Sequence, residues 1–512
     1  SLGANTTGVQ NTAIGHAALH SNQTGMNNTA LGFYALLNNT GSGNIAIGSF
    51  CLDGNTSGGS NVAVGQSALG ANTTASNNTA VGEQALKTTT IGHSNVAVGK
   101  SALAASTTSF NTAVGFGAAE ATTSGLGQVV VGCNALKNNT TGGNNTAIGL
   151  DCLQQNTTAS DNTGVGRDAL KLNTTGTLNV AVGAFALDAN TTASANTAVG
   201  TYALTANTTG AENVAIGRQS LFSNTTANDN ISIGVNAMYA NTEGKRNVAA
   251  GSGALAQNTT ADSNTAVGYL ALYLNTTGTN NVATGAYSLD ANTTGNSNVA
   301  YGTSSLSANT TGINNTAVGH SAGALNTTAN NMTAVGYAAL NQNTTGASNT
   351  AIGRDALENN TTADNNTACG SFTLQDNTTG HSNVAVGRSA LENNTTANNN
   401  TAVGMSALKA NTTGGSNLAV GALALESNTT ANFNTGVGVL ALNLNTTGTN
   451  NTAIGYGTLD VNTTADNNTA VGHNALSANT TGDVNTAVGS NAMAVNTTGS
   501  SNAAFGYHAL DA

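Results

Sequence analysis

One order of apolar and polar positions returns along the chain at every seventeenth position. From Asn11 to Asn502 the unit N-[TV]-A-[VI]-G-x-x-A-L-x-x-N-T-T-[GA]-x-x occurs thirty times, and two of its steps, Asn28 to Asn44 and Asn95 to Asn111, are each one position shorter. Self-similarity at a fixed period marks a repeat architecture. Position five is Gly in all thirty units, as a corner with positive φ or a close backbone approach requires. Position three is Ala in twenty-six, the exceptions being Val130, Gly164, Ser232 and Gly436. Position four is Val or Ile in twenty-four, and position nine is Leu in twenty-six. These two apolar rows read as the core. Position one is Asn in all but two units, Gln128 and Met332, and a second Asn opens most N-T-T triplets. Stacked identical amides can hydrogen-bond from rung to rung.

The period excludes helices, because an obligatory Gly, an N-T-T triplet and β-branched residues leave no helical face longer than about two turns. T-A-V and A-L read instead as two very short strands per unit, parted by Gly and by Asn/Thr/Gly turns. The fold class that follows is all-β, a parallel β-solenoid of about thirty 17-residue coils. At about 4.8 Å per coil it would form a rod on the order of 140 Å long. Register never breaks and composition never shifts, so residues 1–512 read as a single repeat domain. Ser1 and Ala512 fall in mid-repeat, which suggests a segment of a longer fibre. Position fifteen tends to alternate Gly and Ala, so that the unit often becomes a pair of coils; two-coil duplication explains this, and alternate packing of adjacent coils is the other explanation.

Composition changes the picture of the surface. Charged residues are 6% of the chain, Pro and Trp are absent, and there are 63 Gly, so solubility rests on Asn, Thr, Ser and backbone. A net charge of −11 from 11 cations and 22 anions argues against nucleic acid, which needs clustered Lys and Arg. No apolar run of about 18 residues points to a membrane span. Cys51, Cys133, Cys152 and Cys369 sit at unrelated points of the repeat and make no disulfide framework or metal knuckle. Each coil supplies few large apolar side chains, and rows of Ala and Gly suggest close approach of another backbone. An identical chain in cyclic symmetry would supply it, so the expected partner is the chain itself.

At Asn61-Val62-Ala63-Val64-Gly65-Gln66-Ser67-Ala68, at Asn213-Val214-Ala215-Ile216-Gly217-Arg218-Gln219-Ser220 and in their copies, the unit resembles the head repeat of YadA-like trimeric autotransporter adhesins, approximately x-V-A-I-G-x-x-S. Similar long-coil repeats resemble parts of phage and viral fibres. The resemblance implies a left-handed β-roll and a homotrimer. It also implies adhesion to a host or neighbouring cell surface, a matrix protein or a glycan, from the cell surface or a virion fibre. The coil here is longer than that family's by the N-T-T-[GA] segment.

Candidate chemistry is sparse. His16, His320 and His473 share position six, and His93 and His381 share position sixteen, but they lie many coils apart. Asp151, Glu358, Asp376 and Glu392 fall where residue type varies freely, and no pair is placed for acid–base work. Asp161, Asp229, Asp262, Asp364 and Asp466 near the turns could at most recruit a cation weakly. N-T-T matches the glycosylation sequon, though a hydrogen-bonded turn ladder explains it equally. Phe33, Tyr34, Phe222, Tyr239, Tyr269, Tyr273 and Tyr287 are candidates for a carbohydrate or protein contact. Thr rows suggest ice binding, but adjacent threonines of an extended strand face opposite sides. The sequence therefore assigns no catalytic, cofactor-binding or metal-binding residue and predicts a non-enzymatic extracellular fibre. A solenoid binding ice or carbohydrate through Thr and Asn rows is the rival reading.

Overall fold

A computed structural model describes residues 2–511; Ser1 and Ala512, the two mid-repeat ends, lie outside them. The chain divides into two compact units, Ser1–Thr260 and Ala261–Ala512. The first unit carries fifteen strands among the described residues, from β1 (Thr12–Ile14) to β15 (Val248–Ala250), and the second fifteen, from β16 (Thr265–Val267) to β30 (Ala503–Phe505). Every strand is three residues long, one per coil, and within each unit each pairs parallel and in register with its chain neighbour, as in Thr197↔Val214, Ala198↔Ala215 and Val199↔Ile216. Each unit is thus an all-β parallel solenoid.

The coil that starts at Asn196 shows why this sequence closes. Asn196, Ala198, Ala203, Leu204 and Asn207 are fully buried, and Gly210 is buried with them. Thr197 and Val199 flank Ala198 in the strand and point the other way, because successive side chains of a strand alternate faces. The expected core row at position four is therefore an outer row: Ile216 is 38% exposed, Val318 40% and Ile352 42%. The interior at the strand is only Ala-wide, so β-branched residues are placed outside and Leu of position nine fills the centre alone. Among the exceptions, Val130 and Ser232 at position three and Met238, which replaces Leu at position nine, still point inward and are buried.

The second expected strand is absent. Ala203 and Leu204 are adjacent and both inward, which an extended strand forbids. The chain solves this by entering the left-handed region at Tyr202 (φ 59°) and Leu204 (φ 55°), and again at Glu212 (φ 60°) in the last turn. Leucine in that region costs roughly 1–2 kcal/mol. Full burial and a rung-to-rung bond from Leu204 N to Ser220 O (3.0 Å) offset it. Glycine appears at equivalent left-handed positions in Gly117 (φ 61°), Gly323 (φ 57°) and Gly457 (φ 58°).

Two rows of amides hold the coil shut. Asn196 Nδ2 and Asn207 Nδ2 both donate to Gly210 O, each at 2.9 Å, so one carbonyl ties the beginning of the coil to its end. Asn196 Oδ1 accepts from the backbone N–H of Asn213 in the next coil (3.0 Å), and Asn207 Nδ2 donates to Asn190 Oδ1 in the previous one (3.1 Å). The amide ladder expected from the sequence is present in both rows, and it satisfies buried polar groups that would otherwise be costly. Where position fifteen is Gly the coils approach closely: a Cβ on Gly210 would overlap the carbonyl of Ala227 in the following coil.

The ladder has a defect that tests its worth. Thr89, Ser106 and Thr122 replace Asn in three successive coils, and there the buried Asn72 Oδ1 and Ser106 Oγ are left without partners. Restoring an amide with Thr89→Asn should give Asn72 a donor and raise stability by about 1 kcal/mol. Urea titration would show a raised midpoint; an unchanged or lowered one would mean that the ladder contributes little.

Candidate interaction surfaces

The fold leaves three kinds of outward surface. The strands present positions two and four, where Thr or Val stands beside Val or Ile. The wall after the Gly corner presents positions six, seven, ten and eleven. The N-T-T turn presents its second Thr, since Thr208 Oγ1 donates to Thr225 O in the next coil (3.1 Å) while Thr209 is exposed. One hydroxyl per turn therefore faces outward instead of the two that a doubled Thr rank would offer. The sequon Asn of the triplet is wholly inside: Asn72, Asn190 and Asn207 are fully buried with their nitrogens donating. A glycan on that nitrogen would break the ladder, so N-T-T here is a turn-and-ladder element of the folded coil.

On the wall, the repeat places side chains of neighbouring coils one above another. Phe33 and Tyr34 meet at 4.2 Å between ring centroids, joined by His16 and Phe50. Phe222 stacks on Tyr239 at 5.0 Å, and Tyr269 meets Tyr287 edge-on at 5.4 Å. Phe185 and Tyr202, not singled out in the sequence, extend the second group: Arg167 lies 4.5 Å over Phe185, Phe185 stacks on Tyr202 at 5.1 Å, and Tyr202 meets Phe222 at 6.4 Å. Their spacing by one coil was the available signal. Because several rings cover each other's faces, these ladders present edges, which suits stability along the stack better than sugar stacking. The histidines join the same pattern: His320 stacks on Tyr337 and His473 on Tyr456, while His93 meets Phe110 edge-on.

The acidic candidates are taken up by neighbouring rungs. Asp151 accepts from Asn134 Nδ2 (3.2 Å) and Gln154 Nε2 (3.1 Å) and lies 3.8 Å from Lys171, which also pairs with Asp168 at 2.8 Å. Glu358 accepts from Gln375 (2.8 Å), Glu392 lies 3.6 Å from Lys409, and Asp376 accepts from Asn359 (3.1 Å). Of the turn acids, Asp161 accepts from Asn144 (3.2 Å), Asp364 from the backbone of Ala347 (2.6 Å) and Asp466 from Thr449 Oγ1 (3.0 Å). No group of three or more His, Cys, Asp or Glu is arranged to hold a metal ion among the described residues. A groove of about 400 Å³ beside Phe50 is bordered by Asp53, Ser67, Gly70 and Lys87.

No protein family profile and no curated protein matches this chain.

Burial decides the titration behaviour. Asp53, Asp188, Asp290 and Asp460 all occupy position ten, and partial burial pushes their carboxyls up from the usual range; Asp355 at position seven shifts the same way. A raised folded value means that the protonated form is favoured by folding. Their contribution is fully present below the unfolded value near 3.9 and is lost as pH rises through the folded one. The thermal midpoint should therefore rise, not fall, between pH 7 and pH 4. Replacing the four position-ten aspartates by Asn should flatten that slope. Calorimetry that showed acid unfolding above pH 4 would contradict this. Burial also pushes the Cys51 and Cys152 thiols up to about 12, which makes them inert at neutral pH, whereas Cys133 and Cys369 are exposed; all four are free thiols.

Proposed function

We propose that this chain is a non-enzymatic structural and adhesive fibre segment. It acts outside the cell, on a cell surface or a virion, as a left-handed, homotrimeric β-roll. The observation that carries the reading is where variation lies. Most coils spend their interior on the same Asn, Ala, Leu and Gly, and most of what differs from coil to coil points outward, at positions six, seven, ten, eleven, sixteen and seventeen. That is the organisation of a scaffold displaying side chains. The V-A-I-G rungs support the same reading through their resemblance to YadA-like heads, and the partners it implies are further copies of the chain and a cell surface, matrix protein or glycan. The rival reading, ice or carbohydrate bound through Thr and Asn rows, has less support. Both Asn rows are interior, and one Thr hydroxyl of each typical triplet is bonded to the next coil.

Beads coated with the full chain should be retained by cultured cells or matrix-coated surfaces above beads coated with albumin. Retention no greater than albumin's across cells, matrix proteins and glycan arrays would overturn the adhesive part.

A further inference from the structure

The Ala and Gly rows, expected from the sequence to face another chain, do not face one. Ala198 and Ala215 are fully buried within their own coils, and a Cβ on Gly217 would lie 2.5 Å from Gly234 O of the next coil, so the close neighbour is the same chain. Among the surfaces the fold leaves uncovered is the outer strand row. We propose that the surface formed by positions two and four is where copies of this chain pack against one another; this rests on the self-assembly in the reading above.

Three observations carry it. No residue at position two or four is charged in any of the thirty coils, although position six of the same coils includes Glu83, Lys100, Arg167, Arg218, Arg354 and Arg388. Position four of the row is largely apolar and open, with Val182, Ile216 and Ile233 at 37%, 38% and 42% exposure in the first unit and Val318, Ile352 and Val386 at 40%, 42% and 38% in the second, and beside it position two is Thr in seventeen coils and Val, Ile, Leu or Ala in thirteen. Its area is also sufficient. Fifteen rungs about 4.8 Å apart and three residues, about 10 Å, wide make roughly 700 Å² per unit. That is close to the roughly 800 Å² per partner of a standard interface. The row repeats at the strand spacing, and a partner that interdigitates along it must have the same period. An identical solenoid has that period.

The native cysteines report on this directly. Cys369 stands at position four, in β22 (Thr367–Cys369), and Cys133 at position six, off the row; both are exposed, while Cys51 and Cys152 are fully buried. The full chain is sized by light scattering and pulsed with a maleimide, and the two peptides are compared by mass spectrometry. Expected is an oligomer in which Cys369 reacts about tenfold or more slowly than Cys133, as for a site open in a minority of copies. In I352K/V386K, whose changes lie on the outer row in the coils flanking Cys369, association should be lost at unchanged melting temperature of the coils, and Cys369 should react as fast as Cys133. An oligomer in which Cys369 reacts as fast as Cys133 would overturn this assignment and leave self-assembly standing through another face. A monomeric chain would overturn both.

Discussion

Replacing Asn207 by Asp should cost about 3–5 kcal/mol, the range for an uncompensated buried charge, although the change is nearly isosteric. The reason is the direction of the bonds. Asn207 Nδ2 gives its two hydrogens to Asn190 Oδ1 (3.1 Å) and Gly210 O (2.9 Å), both of which can only accept. A carboxylate there sets oxygen against two oxygens, inside a site of zero exposure, and keeps only the bond received from Asn224 Nδ2 (2.9 Å). The loss should shrink at low pH, because a protonated carboxyl regains one donor, and burial raises the pH at which that happens. The exposed neighbour makes the control: Thr209→Asp should change stability by no more than about 0.5 kcal/mol. Denaturant titration of both variants at pH 7 and pH 4 distinguishes them. Equal effects of N207D and T209D would mean that the interior amides are not the closure of the coil.

Enlarging the glycine corner should be comparably damaging. In Gly217→Ala the new Cβ would stand 2.5 Å from Gly234 O and 2.7 Å from Gly234 C, at a φ of +127° that side chains rarely adopt. Backbone strain of about 1–3 kcal/mol then combines with a contact that only a shift of the neighbouring coil relieves. A total of about 3 kcal/mol or more is expected, spread to the adjoining rungs because each coil is stabilised by its neighbours. Gly117→Ala is the matched comparison. Its φ is +61°, its Cβ would meet only the flexible ends of Asn134 at 3.2 Å and Glu120 at 3.5 Å, and other coils carry Ser67 or Tyr202 at this position. It should cost only about 1 kcal/mol. Similar melting temperatures for the two variants would refute the close rung-to-rung approach at position five.

The chain's own pattern made the period, the Gly corner, the T-A-V strand and both amide rows legible, because each rests on one residue type with one local requirement. Two inferences failed for physical reasons. Val and Ile at position four were assigned to the core by hydrophobicity, whereas a three-residue strand with Ala in its middle can send only Ala inward. The partner at position two was the available signal: it is Thr in Thr79, Thr112 and Thr197, and shares its face with position four. The A-L pair, set between the Gly corner and the Asn/Thr turn, predicts a second strand, whereas its leucine takes the left-handed conformation that L residues seldom adopt. Gly323, which stands in place of that leucine, and Gly117 and Gly457, two positions before it, mark the conformation in the sequence itself. Contact ladders on the outer wall, such as Phe185 with Tyr202, became visible once positions were compared one coil apart instead of along the chain.

Within each unit, successive coils are stacked in register through bonds repeated from rung to rung. Residue-resolved amide hydrogen exchange on the full chain reads these bonds one by one. Slow exchange should recur once per coil at the amides bonded between coils, including Thr197 to Asn213 O, Leu204 to Ser220 O and Thr208 to Thr225 O in one coil and their equivalents in the others. Protection confined to a few blocks, or lacking the period of the coil, would contradict the stacked solenoid.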